Sequence, residues 1–162
     1  MKILILNGPN LNRLGLRKPE IYGSKTMAQI LLEIQQIWPE VYFTYYQSNH
    51  EGDIIDWIQS INDAPKAPNE RSLCELNDEP AALNDVHGIV LNAGGYSHTS
   101  VALRDAVEES EVPVVEVHIS DITKREPFRQ KSLLTDVCAH TIIGHGTDGY
   151  KEAVEYLIAL NH

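Results

Sequence analysis

Short apolar runs recur along the chain, and most of them end in glycine, asparagine or other polar residues. Continuous apolar runs of this length, rich in β-branched side chains, are typical of strands buried on both faces of a parallel sheet. Longer segments between the runs carry apolar residues at helical spacing. The pattern predicts five strands, over residues 2–6, 41–46, 87–91, 113–117 and 138–143.

Helices are predicted between these strands and after the last one. Thr26 and Gln29 form a capping-box pattern at the start of the first helix, and Thr99 or Ser100 suits the cap of a later one. Strands that alternate with helices in this way form parallel sheets with right-handed crossovers. We therefore expect an α/β fold, a flavodoxin-like three-layer sandwich whose five-stranded parallel sheet has order 2-1-3-4-5 and helices on both faces.

Composition narrows the class of protein. A chain of 162 residues, 43% of them hydrophobic, suits a single domain over residues 1–162, and a net charge of -10 argues against a nucleic-acid partner. The opening apolar run at residues 3–6 is too short for a signal peptide or a membrane span, so we expect a cytoplasmic protein. Cys74 and Cys138 lack metal-binding spacing and no histidines pair along a helix, so no metal is expected.

Two connections are longer than the usual loops. Residues 10–25 include Asn10, Arg17 and Tyr22, and a polar loop of this length is more often an active-site lid than a passive link. A cation such as Arg17 near Tyr22 lowers the pKa of the phenol, although a packing role for Tyr22 is an equal alternative. Residues 62–86 are rich in proline and acidic side chains, which predicts a surface insertion.

The strand over residues 113–117 leads directly into polar residues that suit catalysis. Glu116 and His118 are two apart, so on a strand they point to the same side, and the carboxylate can fix the imidazole tautomer. Ser120 follows, and Arg125 and Arg129 are four apart on a predicted helical turn. Each residue alone is equally compatible with a solvated strand end, but the set at a carboxyl edge favours a ligand site.

Two other motifs have a simpler structural explanation. Residues 144–149 match the G-x-G-x-x-G pattern, but only thirteen residues follow, too few for the next strand and acidic residue of a dinucleotide site, so a tight turn is favoured. His98 and Ser100 place a hydroxyl near an imidazole, but no G-x-S-x-G elbow surrounds them. A flavin- or nucleotide-binding module and an acyl-transfer hydrolase using these two residues remain as alternatives.

Six segments of the chain form a recognisable set. They are NGPNLN at 7–12, RKPEIYG at 17–23, QSNHEG at 47–52, HTSVALRDA at 98–106, EVHIS at 116–120 and REPFR at 125–129. Taken together, they resemble type II 3-dehydroquinate dehydratase, and the resemblance covers nearly the whole chain apart from about residues 62–86. It implies a single catalytic domain, a lyase of the shikimate pathway, which serves aromatic amino acid biosynthesis, that converts 3-dehydroquinate to 3-dehydroshikimate through an enolate and without a cofactor.

The resemblance also implies roles for individual residues. Tyr22 is the general base, Arg17 favours its ionised form, and His118 is the general acid, oriented by Glu116. Asn10 holds a water or a donor near the enolate oxygen. The substrate's hydroxyls and carboxylate are bound by Asn92, His98, Asp105, Ile119, Ser120 and Arg129.

The chain departs from the family pattern after residue 120. Asp121 stands where the family usually has asparagine, and its charge would weaken carboxylate binding if it faced the pocket. Gln130, Lys131 and Leu133, in the segment after Arg129, also differ from the commoner pattern. The resemblance further implies a homododecamer of four trimers.

Overall fold

The apolar runs form a parallel sheet in the structure, a computed structural model that describes residues 1–16, 24–62 and 85–161. The strand order is β2-β1-β3-β4-β5, and every neighbouring pair is parallel, which confirms the predicted fold class. Because all the strands run parallel, their carboxyl ends lie at the same edge of the sheet. The strands are β1 (Lys2–Asn7), β2 (Tyr42–Gln47), β3 (Gly88–Asn92), β4 (Val114–His118) and β5 (His140–Ile143).

Helices cover both faces of the sheet, because successive side chains of a buried strand point to opposite sides. Ile3 and Ile5 of β1 contribute to one core cluster, and Leu4 and Leu6 contribute to the other. All four side chains are fully buried. The first cluster is covered by α1 (Met27–Ile37) and α4 (Gly149–Leu160), and the second by α2 (Glu51–Asn62) and α3 (Val101–Glu108).

The two predicted helix caps are present. The Thr26 hydroxyl accepts a hydrogen bond from the Gln29 N–H, and the Gln29 side chain accepts one from the Thr26 N–H, which completes the capping box. Ser100 is buried, and its hydroxyl accepts a hydrogen bond of 2.8 Å from the Leu103 N–H at the start of α3. This contact explains Ser100 as a cap and gives no support to a nucleophilic role.

The predicted helical turn that carries both Arg125 and Arg129 is wrong. One short 3-10 helix spans Ile122–Lys124, and a second spans Pro127–Arg129. Glu126 between them is extended, with φ -58° and ψ 147°, because the ring of a following proline disfavours helical backbone. The two arginines therefore lie on separate elements.

Parts of the two long connections lie outside the described residues. Residues 17–23 of the predicted lid and 63–84 of the predicted insertion belong to this group. Val86, at the end of the predicted insertion, is buried against the core on the side of α2 and α3. Over the ranges that are described, no helix combines the length and apolarity that crossing a membrane requires.

Candidate active site

A cavity lies at the carboxyl ends of β1, β3 and β4, where such folds have their topological switch point. Its volume of about 160 Å³ accommodates an organic ligand, because one water needs only roughly 15 Å³. Arg13 and Gly94 also line the cavity, although neither belongs to the predicted set of catalytic and binding residues. The cavity brings together seven predicted site residues, namely Asn10, Asn92, His98, His118, Ile119, Ser120 and Arg129.

Glu116 and His118 form the predicted pair at the end of β4. The Nε2 atom of His118 lies 2.8 Å from Oε1 of Glu116, and both residues are buried. An ionised carboxylate can only accept a hydrogen bond, so Nε2 of His118 carries the proton of this bond. Nδ1, the other ring nitrogen, takes no part in the contact with Glu116. The imidazole therefore has a fixed tautomer and a defined orientation at the cavity wall.

Three hydroxyls missed by the sequence reasoning also converge on Glu116. Ser132 donates to Oε1, while Thr135 and Thr141 donate to Oε2 at 2.9 and 3.2 Å. Burial by itself raises the pKa of Glu116, but the hydrogen bonds from His118, Ser132 and Thr135 outweigh it and bring the pKa below its ordinary value. The only signal in the sequence was a glutamate inside an apolar strand. A buried carboxylate requires hydrogen-bond donors, but the sequence does not indicate which residues provide them.

Asn10 follows β1 in a left-handed backbone conformation, with φ 68°. Its N–H donates to Oδ1 of Asn49 at 2.9 Å, and the Tyr96 hydroxyl donates to the backbone oxygen of Asn49 at 2.8 Å. The loops after β1, β2 and β3 are thus tied together. Tyr96 therefore helps to hold the loop that presents Asn10 to the cavity.

Asn92 belongs to a buried hydrogen-bonded chain beneath the cavity. Its Nδ2 donates to the Tyr150 hydroxyl at 3.0 Å, and that hydroxyl donates to Oδ1 of Asn7 at 2.8 Å. The Gly94 N–H donates to Oδ1 of Asn92. Burial raises the pKa of Tyr150, so its phenol stays neutral and fixes the orientation of the Asn92 amide.

His98 lies beside His118, with ring centroids 6.1 Å apart and an interplanar angle of 26°. Its Nδ1 is 2.9 Å from the backbone oxygen of Lys131. A carbonyl oxygen can only accept, so Nδ1 donates and Nε2 of the neutral ring is an acceptor. His98 is therefore suited to accept a hydrogen bond from a ligand hydroxyl.

Three arginines give the cavity a local positive charge in an otherwise acidic chain. Arg13, Arg125 and Arg129 all line it, and Arg125 donates to the Ser120 hydroxyl at 3.2 Å. Arg129 is 42% exposed, and its Nε lies 3.8 Å from a carboxylate oxygen of Glu126. Guanidinium groups favour planar anions such as carboxylates, so this side of the cavity is suited to an acidic ligand.

A family model for class II dehydroquinases matches residues 1–158 of the chain. The chain belongs to the class II dehydroquinase family. It is 41% identical to the 3-dehydroquinate dehydratase of Bacillus pumilus (strain SAFR-032), over 96% of this chain and 93% of that protein. It is 42% identical to that of Bacillus subtilis (strain 168), with the same coverage of both chains.

Solved structures agree with the family model. The type II dehydroquinase from Butyrivibrio crossotus DSM 2876 superposes with a TM-score of 0.80 at 39% identity, over 98% of this chain and 97% of that one. The enzyme from Propionibacterium acnes gives a TM-score of 0.78 at 32% identity, over 98% and 96% of the two chains. The fold of this class II dehydroquinase is therefore the one that its family members share.

Two acidic residues of this class II dehydroquinase lie away from the cavity lining. Asp121 accepts hydrogen bonds from the Thr123 side chain and N–H and pairs with Lys124 at 3.0 Å. These contacts, led by the Thr123 hydroxyl, lower the pKa of Asp121. Asp105 is exposed on α3, and the structure does not place it among the lining residues. Its role in substrate binding stays a prediction.

The turn at residues 144–149 of the dehydroquinase uses its amides within the protein. The Gly144 N–H donates to the backbone oxygen of His118, and the Gly146 N–H donates to that of Ile119, both at 3.0 Å. Positive φ angles of 81° and 59° at these glycines fit a tight turn, as the sequence favoured. These two amides are therefore already engaged and do not offer a phosphate cradle.

The remaining predicted catalytic residues of the dehydroquinase, Arg17 and Tyr22, lie outside the described residues. Their roles stay predictions. Within residues 1–16, 24–62 and 85–161, no group of three or more histidine, cysteine, aspartate or glutamate side chains is arranged to hold a metal.

Proposed function

We propose that the chain dehydrates 3-dehydroquinate to 3-dehydroshikimate in the shikimate pathway, through an enolate intermediate. The family match and the relatives named 3-dehydroquinate dehydratase support this substrate. The observation that carries the proposal is the buried Glu116–His118 pair beside a cavity lined by arginines. This arrangement provides an acid for a leaving hydroxyl and a binding surface for the substrate's carboxylate.

The first step of the proposed reaction is proton abstraction. A proton next to a ketone is weakly acidic, so its removal needs a base and stabilisation of the enolate. Tyr22 takes this proton as a phenolate, and the positive charge of Arg17 favours that ionised form. Asn10 holds a water or donates a hydrogen bond near the enolate oxygen.

The second step is loss of the hydroxyl. As the enolate re-forms the ketone, the carbon–oxygen bond breaks, and Nδ1 of His118 gives its proton to the departing oxygen, which leaves as water. The Glu116 carboxylate holds Nε2 at 2.8 Å and stabilises the imidazolium before transfer. Protons exchanged with solvent restore Tyr22 and His118 for the next turnover.

Substrate binding in this proposal uses the remaining polar residues. Arg129 pairs with the carboxylate, and the Ser120 hydroxyl and the Ile119 backbone N–H support it. Asn92 and His98 bind the ring hydroxyls through the amide and the acceptor nitrogen described above. Asp105 as a binding residue and the homododecamer are proposed from the resemblance alone. The cytoplasmic location is the expectation drawn from the short opening apolar run.

The test follows the ultraviolet band of the conjugated enone product after the protein is mixed with 3-dehydroquinate in metal-free buffer. We expect the band to grow with the unmodified chain and to grow at least roughly a hundredfold more slowly with Tyr22→Phe or His118→Ala. Tyr42→Phe is the matched control, because Tyr42 is 75% exposed on the edge strand β2. Full turnover by Tyr22→Phe, or no band from the folded unmodified protein, would refute the proposal.

A further inference from the structure

The carboxylate of Glu116 accepts four hydrogen bonds inside the protein. Oε1 accepts from Nε2 of His118 and from the Ser132 hydroxyl, at 2.8 and 2.5 Å. Oε2 accepts from the hydroxyls of Thr135 and Thr141, at 2.9 and 3.2 Å. The side chain is fully buried, so these donors replace the water that an ionised carboxylate would otherwise bind.

The hydroxyl donors are held in place by their own surroundings. Thr141 lies on β5 directly beside Glu116 in the strand register. The Ser132 hydroxyl accepts from the Leu134 N–H at 3.1 Å, which leaves its proton for Glu116. Next to Ser132, the Leu133 N–H donates to the backbone oxygen of Ser97 at 2.8 Å. Ser132 and Thr141 are therefore held in place by contacts within the protein.

A buried carboxylate beside an imidazole allows the shared proton two locations, on oxygen or on nitrogen. Three neutral hydroxyls that donate to the carboxylate stabilise its negative charge and have no such effect on its protonated form. They therefore favour the state in which the proton is on the ring. Loss of any one hydroxyl shifts the balance towards a protonated carboxyl group.

We propose that Ser132, Thr135 and Thr141 are positioning residues that keep Glu116 ionised, so that the shared proton stays on Nε2 of His118 and the ring can hold a second, transferable proton on Nδ1. None of the three residues lines the cavity, and in this proposal their hydroxyls act on the reaction through Glu116. The catalytic part of this inference rests on the proposed role of His118 as the acid. The ionisation of Glu116 is independent of that role and is measurable without substrate.

Among the described residues, Cys138 and His98 are two other titratable side chains near the pair. Burial and the charge of Glu116 raise the pKa of Cys138 to about 12, so this thiol is neutral in the working range of pH. His98 stacks against His118 on the cavity side.

The test replaces the hydroxyls one at a time, as Ser132→Ala, Thr135→Val and Thr141→Val. A hydrogen bond to a charged group is strong enough that each loss should lower kcat roughly tenfold, with KM within about twofold of its original value. The acidic limb of the kcat profile should move to higher pH by about one unit. Thr135→Ser and Thr141→Ser, which keep a hydroxyl, should restore both values. Ser60→Ala in α2 and Thr44→Val in β2 are matched controls.

Infrared spectroscopy detects the protonation state of the Glu116 carboxyl group directly, in the absence of substrate. A carboxylic acid band, assigned by its loss in Glu116→Gln, should appear in the valine and alanine variants at a pH where the unmodified protein shows none. Thr135 is exposed, so Thr135→Val retains the fold and gives this reading even if a buried variant does not fold. An unchanged infrared titration, or a loss of kcat that the serine variants do not reverse, would overturn the inference. An inactive unmodified protein whose variants still show the band would instead overturn the proposed function alone.

Discussion

Gly8 sits where β1 meets the turn that follows β3, and the space beside its Cα is already filled by backbone. A Cβ at this position would lie 2.3 Å from the carbonyl oxygen of Ala93 and 2.7 Å from its carbonyl carbon. The closer contact is about 0.7 Å shorter than the 3.0 Å that real Cβ atoms respect. The Gly8 N–H also donates to the backbone oxygen of Asn92 at 2.8 Å, so the two chain segments cannot separate without losing this hydrogen bond.

We therefore expect Gly8→Ala to lower the free energy of unfolding by about 3 kcal/mol, the upper end for overpacked sites, because backbone must move. With a typical urea dependence of about 2 kcal/mol per molar, the unfolding midpoint falls by roughly 1.5 M. Ala93 directly precedes Gly94 and Gly95 of the cavity lining. Displacement of nearly 1 Å there should lower kcat/KM by about 10- to 100-fold in the folded fraction.

The matched control is Gly52→Ala in α2, where an added Cβ meets no atom within 4 Å. Alanine is favoured over glycine in a helix by up to about 1 kcal/mol, so this variant should be slightly more stable and equally active. The measurements are urea unfolding followed by circular dichroism and the enone assay. A Gly8→Ala midpoint equal to that of the unmodified protein would refute the steric reasoning.

The remaining predictions concern three buried groups. Tyr150→Phe removes a hydroxyl that accepts from one buried asparagine and donates to another, so urea unfolding should show a loss of about 2–4 kcal/mol; an unchanged midpoint would contradict it. Because the pKa of Cys138 is raised to about 12, a Cys74→Ser protein at pH 8 should react with a thiol-specific disulfide reagent at least roughly a hundredfold more slowly when folded than in urea. Equal rates would show that the thiol is not protected. The folded pKa of Glu116 is lowered, so its stabilisation is complete above the unfolded pKa of 4.5 and is lost as pH falls through the folded pKa. Unfolding free energies measured from about pH 5 down to 3 should thus fall less steeply for Glu116→Gln than for the unmodified protein, whereas equal slopes would count against a lowered pKa.

Much of the fold follows from short-range information in the sequence. The β-branched runs, and the Thr26–Gln29 capping box, involve residues only a few positions apart, so their geometry is determined locally. The Glu116–His118 pair was predictable for the same reason, since two residues on a strand share one side. Strand order also followed, because alternating strands and helices allow few arrangements.

The partners of Glu116 were not predictable in this way. Ser132, Thr135 and Thr141 are 16, 19 and 25 residues away, and no periodicity connects them to the strand. The error over the two arginines had a different origin. A spacing of four suggested one helical turn, but the local effect of Pro127 on the preceding residue was the stronger influence.

The hydrogen bond from Tyr150 to Asn7 joins residues that are 143 positions apart. At a synthesis rate of 5–20 residues per second, roughly 7 to 30 s separate the emergence of the two residues from the ribosome. Throughout that interval Asn7 and Asn92 lack the Tyr150 hydroxyl, which joins their side-chain amides in the folded protein. The substrate cavity of a nascent chain is therefore finished only when the final helix docks, however early the first strands pair.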